Sequence, residues 1–335
     1  MKIIIDNKIP FIRQRLEPVA EVVYAAPSDI TPELVRDADA LIVRTRTRCD
    51  SRLLEGSSVR FVATATIGMD HIDSAWCASN GIEVCNAAGC NAPGVAQYVW
   101  SSLLRDGFDP SRQVLGVVGK GHIGSIVADW GRKAGAKVIV CDPPRKRAGF
   151  TDEEYLPLAT LLREADAVTI HTPLTRGGED NTFHLIASEQ LNMMKDGAWL
   201  VNAARGPVAD NPPLAEAAAC GKVRTIVDVW EGEPVINDDL LRNSRVATPH
   251  IAGYSREGKE RATRMVLEAV GRKFGFSADV SGLEGNYIPP SGTISLNVVA
   301  DSYDPAADTE ALRAAPADFE RLRSEYDYRH EPQFS

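Results

Sequence analysis

Three short segments of the chain each carry a residue suited to acid/base chemistry on an anionic substrate. The segments NAARGP (202–207), DVWEGEP (228–234) and TPHIAGY (248–254) contain Arg205, Glu233 and His250. A histidine titrates near neutral pH, and a carboxylate on its second ring nitrogen fixes the tautomer. An arginine presents a planar fork of donors that matches a carboxylate. The set therefore suits proton transfer at a hydroxyl beside a carboxylate.

Each of these segments follows a predicted strand. Apolar runs alternate with helical segments after residue 114, and they are LGVVG (115–119), KVIVCD (137–142), AVTI (167–170), AWLV (198–201) and TIVDV (225–229). Continuous apolar strands indicate a parallel sheet that is covered on both faces. Ligands of such sheets bind beyond the carboxyl ends of the strands. We therefore expect Arg205, Glu233 and His250 to meet there, although each alone has an ordinary structural explanation.

A glycine-rich loop, GKGHIG (119–124), joins the first of these strands to a helix. Gly119 permits a tight turn, Gly121 lets the backbone approach a pyrophosphate, and Gly124 allows the helix to pack closely on the strand. His122 and Ile123 fall between the glycines, where we expect backbone contact with the pyrophosphate. The pattern predicts a dinucleotide-binding site because it stands in a strand, turn, helix and strand order.

The acidic residue expected about twenty positions after the loop is Asp142, in CDPPR. A carboxylate there can accept hydrogen bonds from the ribose hydroxyls and repels a 2'-phosphate, so the sequence predicts NAD rather than NADP. Arg145 lies three residues later and would favour NADP if it reached the same position. Asp142 could alternatively act only as a cap.

The first ninety residues predict a second parallel α/β sheet, with apolar runs at 2–5, 22–25, 40–43 and 59–63. We predict a flavodoxin-like substrate-binding domain over 1–92, completed by a helix near 256–275, and a Rossmann-like dinucleotide-binding domain over 93–255. The remaining residues, 276–335, are rich in glycine and proline and include a strand-like run, TISLNVVA (293–300). They predict a small C-terminal α+β module.

Composition excludes several classes of protein. A chain of 335 residues with 44% hydrophobic and 25% charged residues suits a folded protein of two or three domains. Its formal net charge of -9 disfavours binding to nucleic acid. The six cysteines form no CxxC pair, which argues against a metal site. We expect a cytoplasmic protein with reduced thiols, since the sequence predicts neither a signal peptide nor a membrane span.

The ordered Arg, Glu and His together with the glycine loop resemble the D-2-hydroxyacid dehydrogenases, from the N-terminus to about residue 275. The resemblance implies that Arg205 and Glu233 are catalytic and that His250 is the acid/base. It also implies a phosphorylated hydroxy acid as substrate and a homodimer built through the C-terminal module. The NAD contacts that it implies are Asp142, Thr172, Ala203, Asp228 and Gly253. The substrate contacts that it implies are Thr45, Thr66 and Tyr254.

A row of arginines predicts where the substrate phosphate binds. Arg44, Arg46 and Arg48 alternate just after the apolar run 40–43, and side chains two apart on an extended chain face the same way. We predict that Arg44 pairs with the phosphate in the cleft between the domains, while Arg205 holds the carboxylate. Arg46, Arg48 and the C-terminal tail are the alternatives, and a solvated strand end is the ordinary explanation.

Two other functions fit the same residues. The first is another D-2-hydroxyacid dehydrogenase, of the phosphoglycerate or glyoxylate type, which would share all three catalytic residues. The second is an NAD-sensing binding protein without turnover. Measured turnover separates the enzymes from the binding protein.

Overall fold

The computed structural model describes residues 1–334, which form two compact units. The first unit comprises Met1–Asn91 and Ser255–Ile288, and the second comprises Ala92–Tyr254 and residues 289–334. Each unit contains one parallel sheet with helices around it. The predicted class, two parallel-sheet α/β domains, is confirmed. Within residues 1–334, no helix combines the length and the apolar character needed to cross a membrane.

The elements are numbered in chain order. The strands are β1 Lys2–Asp6, β2 Glu21–Ala25, β3 Ala40–Val43, β4 Phe61–Thr64, β5 Glu83–Asn86, β6 Val114–Val118, β7 Lys137–Cys141, β8 Ala167–Ile170, β9 Ala198–Asn202, β10 Val223–Val227 and β11 Val246–Ala247. The helices are α1 Pro32–Val35, α2 Ser51–Leu54, α3 Ser74–Ser79, α4 Ala92–Arg105, α5 His122–Lys133, α6 Pro143–Arg147, α7 Leu158–Glu164, α8 Ser188–Met193, α9 Asn211–Ala219, α10 Asp238–Asn243, α11 Arg256–Phe274, α12 Leu296–Ser302, α13 Ala306–Ala314 and α14 Phe319–Ser324. Short 3₁₀ turns occupy Pro27–Asp29, Gly206–Val208 and Pro316–Asp318.

The sheet of the first unit has the strand order β2-β1-β3-β4-β5, with every pair parallel. This is the flavodoxin-like order that the sequence analysis predicted. Side chains alternate along β1, so that Ile4 packs into the core on one face while Ile3 and Ile5 pack into the core on the other. Val266 and Val270 of α11 belong to the second of these cores. Burial on both faces explains why the strands are continuously apolar.

The sheet of the second unit has the order β11-β10-β9-β8-β6-β7. The strand β6 pairs with β7 on one side and β8 on the other, so the direction of the strand order reverses at β6. Such a reversal opens a crevice at the carboxyl ends of the strands, where ligands bind. The glycine-rich loop follows β6 directly and therefore stands at this crevice.

The C-terminal segment departs from the prediction. The run 293–300 is largely helix α12, Leu296–Ser302, and not a strand. The side chain of Ser295 caps this helix by accepting from Asn297 N, and Leu296 and Val299 are buried one turn apart. Burial of that helical face outweighs the strand preference of the two valines. The predicted separate α+β module is therefore wrong, since residues 276–288 cluster with the first unit and residues 289–334 join the second as helices.

Candidate active site

The glycine-rich loop has the backbone conformation that its sequence predicts. Gly119 adopts φ +90°, a region in which side chains are strained. A Cβ on Gly124 would lie 2.0 Å from the carbonyl oxygen of Gly119, so only glycine lets α5 start this close to the turn. A Cβ on Gly121, in contrast, would meet no atom within 4 Å. The space above Gly121 is open at the point where a pyrophosphate would approach the backbone.

The start of α5 suits a bound pyrophosphate. Gly121 is the N-cap and supplies no side chain to the first backbone N–H groups of the helix. The first turn, beginning at His122 and Ile123, therefore has donors that no capping side chain takes up. These donors and the helix dipole favour a negatively charged ligand. The residues present thus fit the phosphates of a dinucleotide.

Asp142 lies immediately after β7, beside the glycine loop. Its Oδ2 accepts from Lys120 N at 2.7 Å, and its Oδ1 accepts from Arg145 N at 3.0 Å as the cap of α6. The carboxylate thus fixes the loop, and its remaining lone pairs are available to a ligand. The Arg145 guanidinium is engaged with Asp152 at 3.1 Å and with the Tyr155 hydroxyl at 3.0 Å. Ribose recognition by Asp142 stays a prediction, while the capping role is observed.

Two buried polar side chains follow β8 without a complete set of partners. Within residues 1–334, Thr172 Oγ1 and His171 Nδ1 are buried and have no hydrogen-bond partner. Burial lowers the pKa of His171 to about 3, so its imidazole is neutral, and its Nε2 lies 2.9 Å from Thr169 Oγ1. Unsatisfied buried polar groups are costly, and a polar ligand would satisfy them. Ala203, just after β9, is also buried.

His250 and Glu233 are in contact, as the sequence predicts, and their acid/base role stays a prediction. His250 Nδ1 lies 2.8 Å from Glu233 Oε2, and Glu233 Oε1 accepts from Trp230 N at 2.8 Å. Burial of the Glu233 carboxyl opposes its ionisation, but the hydrogen bond and positive charge of His250 outweigh this, and the pKa of Glu233 is lowered. Glu233 is therefore an ionised acceptor at Nδ1 of His250, and Nε2 is the ring nitrogen that this contact leaves for a ligand.

Asp228 has an internal role that the sequence did not indicate. It is 1% exposed, and its carboxylate accepts from Thr248 Oγ1 at 2.7 Å, Ile251 N at 2.7 Å and Ala252 N at 3.0 Å. Burial raises the pKa of Asp228 despite these donors. The backbone N–H of His250 also donates to the Asp228 carbonyl at 2.8 Å. Asp228 thus holds the turn that presents His250, and a contact between Asp228 and NAD stays a prediction.

Arg205 lies on a loop that packs against the segment carrying Glu233. It follows β9, and Asn202 Nδ2 donates to its carbonyl at 3.0 Å. A Cβ on the next residue, Gly206, would lie 2.0 Å from the carbonyl oxygen of Trp230. Only a glycine lets the two loops approach this closely. The structure therefore brings the Arg205 loop against the loop of the Glu233–His250 pair, as predicted.

The end of the turn after His250 carries Gly253 and Tyr254. Tyr254 N donates to Ile251 O at 2.8 Å, which closes the turn. The Tyr254 hydroxyl accepts from Arg323 Nε at 3.2 Å. Arg323 belongs to the C-terminal segment, which the sequence predicts as a dimerisation module and as an alternative source of a phosphate ligand. Roles for Gly253 at NAD and for Tyr254 at the substrate stay predictions.

The arginine row of the first unit differs from the expectation. Residues 44–48 do not continue β3 as extended chain, because they form a turn in which Thr47 N donates to Arg44 O at 3.3 Å. The inference of three side chains on one face is therefore wrong. Arg44 Nε and Nη2 donate to the fully buried carboxylate of Asp6 at 3.0 and 3.3 Å, and Arg48 pairs with Asp50.

The two predicted substrate threonines lie in the same unit. Thr45 is exposed in the turn that follows β3. Thr66 follows β4, and its hydroxyl is 2.6 Å from that of Thr64. Neither position contradicts a substrate contact, and both roles stay predictions.

A histidine between two carboxylates adjoins the loop of Glu233. His184 Nε2 lies 3.1 Å from Glu231 Oε1, and its Nδ1 lies 3.6 Å from Asp210 Oδ2. Atoms of the three side chains lie within 4.8 Å of one another, a spacing that one metal ion could span. Because the imidazole already pairs with both carboxylates, we interpret the cluster as a link between loops. The expected absence of a metal stays a prediction.

Comparison with known proteins places this geometry in a family. Residues 92–252 match the model of the D-isomer specific 2-hydroxyacid dehydrogenase NAD binding domain. The chain is 44% identical to an erythronate-4-phosphate dehydrogenase of Bacteroides fragilis, over 99% of this chain and 97% of the relative. It is 40% identical to an erythronate-4-phosphate dehydrogenase of Pectobacterium atrosepticum, over 99% and 92% of the two chains.

Solved structures agree with these relatives. An NAD-bound 3-phosphoglycerate dehydrogenase of Entamoeba histolytica has a TM-score of 0.69 at 25% identity, covering 86% of this chain and 99% of that one. A D-lactate dehydrogenase of Aquifex aeolicus complexed with NAD and lactic acid has a TM-score of 0.64 at 26% identity, covering 82% and 96%. The chain belongs to the D-isomer specific 2-hydroxyacid dehydrogenase family, and its second unit is an NAD-binding domain.

Proposed function

We propose that this chain oxidises 4-phospho-D-erythronate at C2 to 2-oxo-3-hydroxy-4-phosphobutanoate, with NAD as cofactor, as a step of pyridoxal 5'-phosphate biosynthesis. The relatives named erythronate-4-phosphate dehydrogenase support this substrate, since they align with 99% of the chain. The observation that carries the chemistry is the 2.8 Å contact between His250 and the ionised Glu233.

The residues of the second unit suit the removal of the C2 hydroxyl proton. With Nδ1 held by Glu233, Nε2 of His250 accepts that proton as the carbonyl forms, and Glu233 stabilises the resulting imidazolium. Arg205 binds the substrate carboxylate through its guanidinium group. The chemistry that NAD would supply at this site is acceptance of the C2 hydride. Gly121 and the start of α5 would hold its phosphates, and Asp142 its ribose.

We further propose Thr45, Thr66 and Tyr254 as substrate contacts, and Thr172, Ala203, Asp228 and Gly253 as contacts of NAD. The homodimer and the cytoplasmic location inferred from the sequence remain predictions, as does the absence of nucleic-acid and membrane partners. Size-exclusion chromatography with light scattering checks the dimer.

An activity screen tests the proposed function. The purified chain is assayed with NAD and 4-phosphoerythronate, 3-phosphoglycerate or glycerate, with 2-oxo acids added as acceptors. We expect turnover with 4-phosphoerythronate, and His250→Ala should reduce it about 10²- to 10⁴-fold. Preference for 3-phosphoglycerate or glycerate would instead favour another enzyme of the family. NAD binding without turnover of any substrate would favour an NAD-sensing protein.

A further inference from the structure

The C-terminal segment brings arginines to the turn that carries His250. After α14 the chain continues through Tyr326 and Arg329, and all these residues belong to the second unit. The Arg329 guanidinium donates to Ile251 O at 3.0 Å and also bonds to the carbonyl of Ala252. These two carbonyls directly follow His250. The segment is therefore fixed against the catalytic turn.

Arg329 is fully engaged by the protein itself. Besides the two carbonyls of the turn, its donors reach Gln97 Oε1 at 2.9 Å and Gly94 O at 3.1 Å, and its guanidinium lies over the Tyr303 ring at 4.4 Å. A buried arginine with this many acceptors is a structural clamp, not a ligand site. It fixes the chain that follows α14 against the turn that carries His250.

Arg323, on the last turn of α14, is bonded differently. Its Nε donates to the Tyr254 hydroxyl at 3.2 Å, and this tyrosine packs edge-on against Tyr326 and Tyr328 at 6.2 Å. Within residues 1–334, the terminal nitrogens of Arg323 donate to no acceptor, and no carboxylate pairs with it. Arg321, two residues earlier, instead pairs with Asp318 at 2.7 Å. The Nε of Arg323 is thus held by Tyr254, while its two terminal nitrogens have no acceptor within residues 1–334.

The open guanidinium lies within electrostatic range of the catalytic pair. The positive charge of Arg323 is among the influences that lower the pKa of Glu233, after burial, which opposes them, and after His250 and Trp230 N–H, which contribute more. Tyr254, its hydrogen-bond partner, is four residues from His250. Arg323 therefore lies close to the turn that carries His250, in the same unit.

We propose that Arg323 binds the phosphate ester of the substrate. The inference rests on the proposed function, in which Arg205 holds the carboxylate at the other end of the substrate. Terminal guanidinium donors bind phosphate oxygens in a bidentate manner. Arg44, the arginine predicted for this role, already makes two hydrogen bonds to the buried carboxylate of Asp6. Arg323 uses only its Nε within residues 1–334, and its two terminal nitrogens have no acceptor there.

Kinetics of three variants test the proposal. Arg323→Met removes the charge, Arg323→Lys retains it without the fork, and Arg321→Met is the matched control on the same helix. We expect Arg323→Met to raise the KM for 4-phosphoerythronate about ten- to a hundred-fold, with kcat changed much less. Arg323→Lys should have an intermediate KM, and Arg321→Met should match the wild type. An unchanged KM, or a fall in kcat at unchanged KM, would overturn the assignment.

A binding measurement separates this inference from the proposed function. Inorganic phosphate is titrated into each protein with NAD present, and the melting temperature is followed, because a ligand of the native state stabilises it. We expect phosphate to stabilise the wild type and Arg321→Met but not Arg323→Met. If no hydroxy acid is turned over, the proposed function fails while this difference still supports the anion site. Equal phosphate stabilisation of all the proteins, or none in the wild type, would refute the site.

Discussion

Glu233→Gln should shift the pH dependence of catalysis by an amount that the geometry allows us to estimate. The Glu233 carboxylate lies 2.8 Å from His250 Nδ1, and the two side chains are only 18% and 29% exposed. A hydrogen bond to a charged partner in such surroundings contributes about 1.5–3 kcal/mol. This equals about one to two pH units. Although burial opposes ionisation of Glu233, the hydrogen bond and charge of His250 lower its pKa, and this coupling is lost in the variant, so the acid limb of the profile should move to lower pH.

The same substitution should also lower the maximal rate. Oε1 of the glutamine can still accept from Trp230 N, which leaves its amide N–H₂ facing His250 Nδ1. The amide would then donate to Nδ1, and the imidazole would carry its proton on Nε2, which is the wrong tautomer for a base. We therefore expect kcat for oxidation to fall by a large part of the 10²- to 10⁴-fold typical of acid/base catalysis.

The assay measures kcat and kcat/KM with 4-phosphoerythronate between about pH 5 and pH 9. Glu231→Gln is the matched control, because Glu231 is two residues away on the same loop but pairs with His184. Its profile should coincide with that of the wild type. The interpretation is refuted if Glu233→Gln leaves the acid limb in place, or if Glu231→Gln moves it equally.

Further predictions concern the cofactor site and the first unit. Gly121→Ala should weaken NAD binding while the melting temperature of the free protein stays unchanged, since its Cβ would meet no protein atom. Gly124→Ala should lower both the affinity for NAD and the melting temperature, because its Cβ would lie 2.0 Å from a backbone oxygen. A Gly124→Ala protein that melts at the temperature of the wild type would contradict this. Fluorescence titration should show tighter binding of NAD than of NADP, and a preference for NADP would rule out Asp142 as the ribose ligand. Arg44→Ala should reduce the free energy of unfolding by about 1–3 kcal/mol, because the fully buried Asp6 carboxylate loses two donors, and urea denaturation measures this.

The glycine loop and the placement of Arg205, Glu233 and His250 could be predicted because their signals are local. Their catalytic roles stay predictions. Glycine spacing reports backbone geometry directly, and Gly119, Gly121 and Gly124 behave as their positions indicated. Apolar runs give the strands, and parallel strands place their carboxyl ends at one edge. The Arg205 loop and the Glu233–His250 pair follow from this rule without knowledge of side-chain contacts. Short or weakly apolar strands, β5 and β11, escaped the same reasoning.

Only the tertiary structure decided which charged side chains have hydrogen-bond partners in the protein. Asp6 and Arg44 are 38 residues apart in the chain, and Tyr254 and Arg323 are 69 apart. No local pattern encodes such pairs, because they depend on how separate elements pack. The helical form of residues 296–302 has the same origin, since burial of one face overrode strand propensity. Local sequence thus determined the residue types available for chemistry, whereas packing determined that Arg44 pairs with Asp6 and that Arg323 bonds to Tyr254.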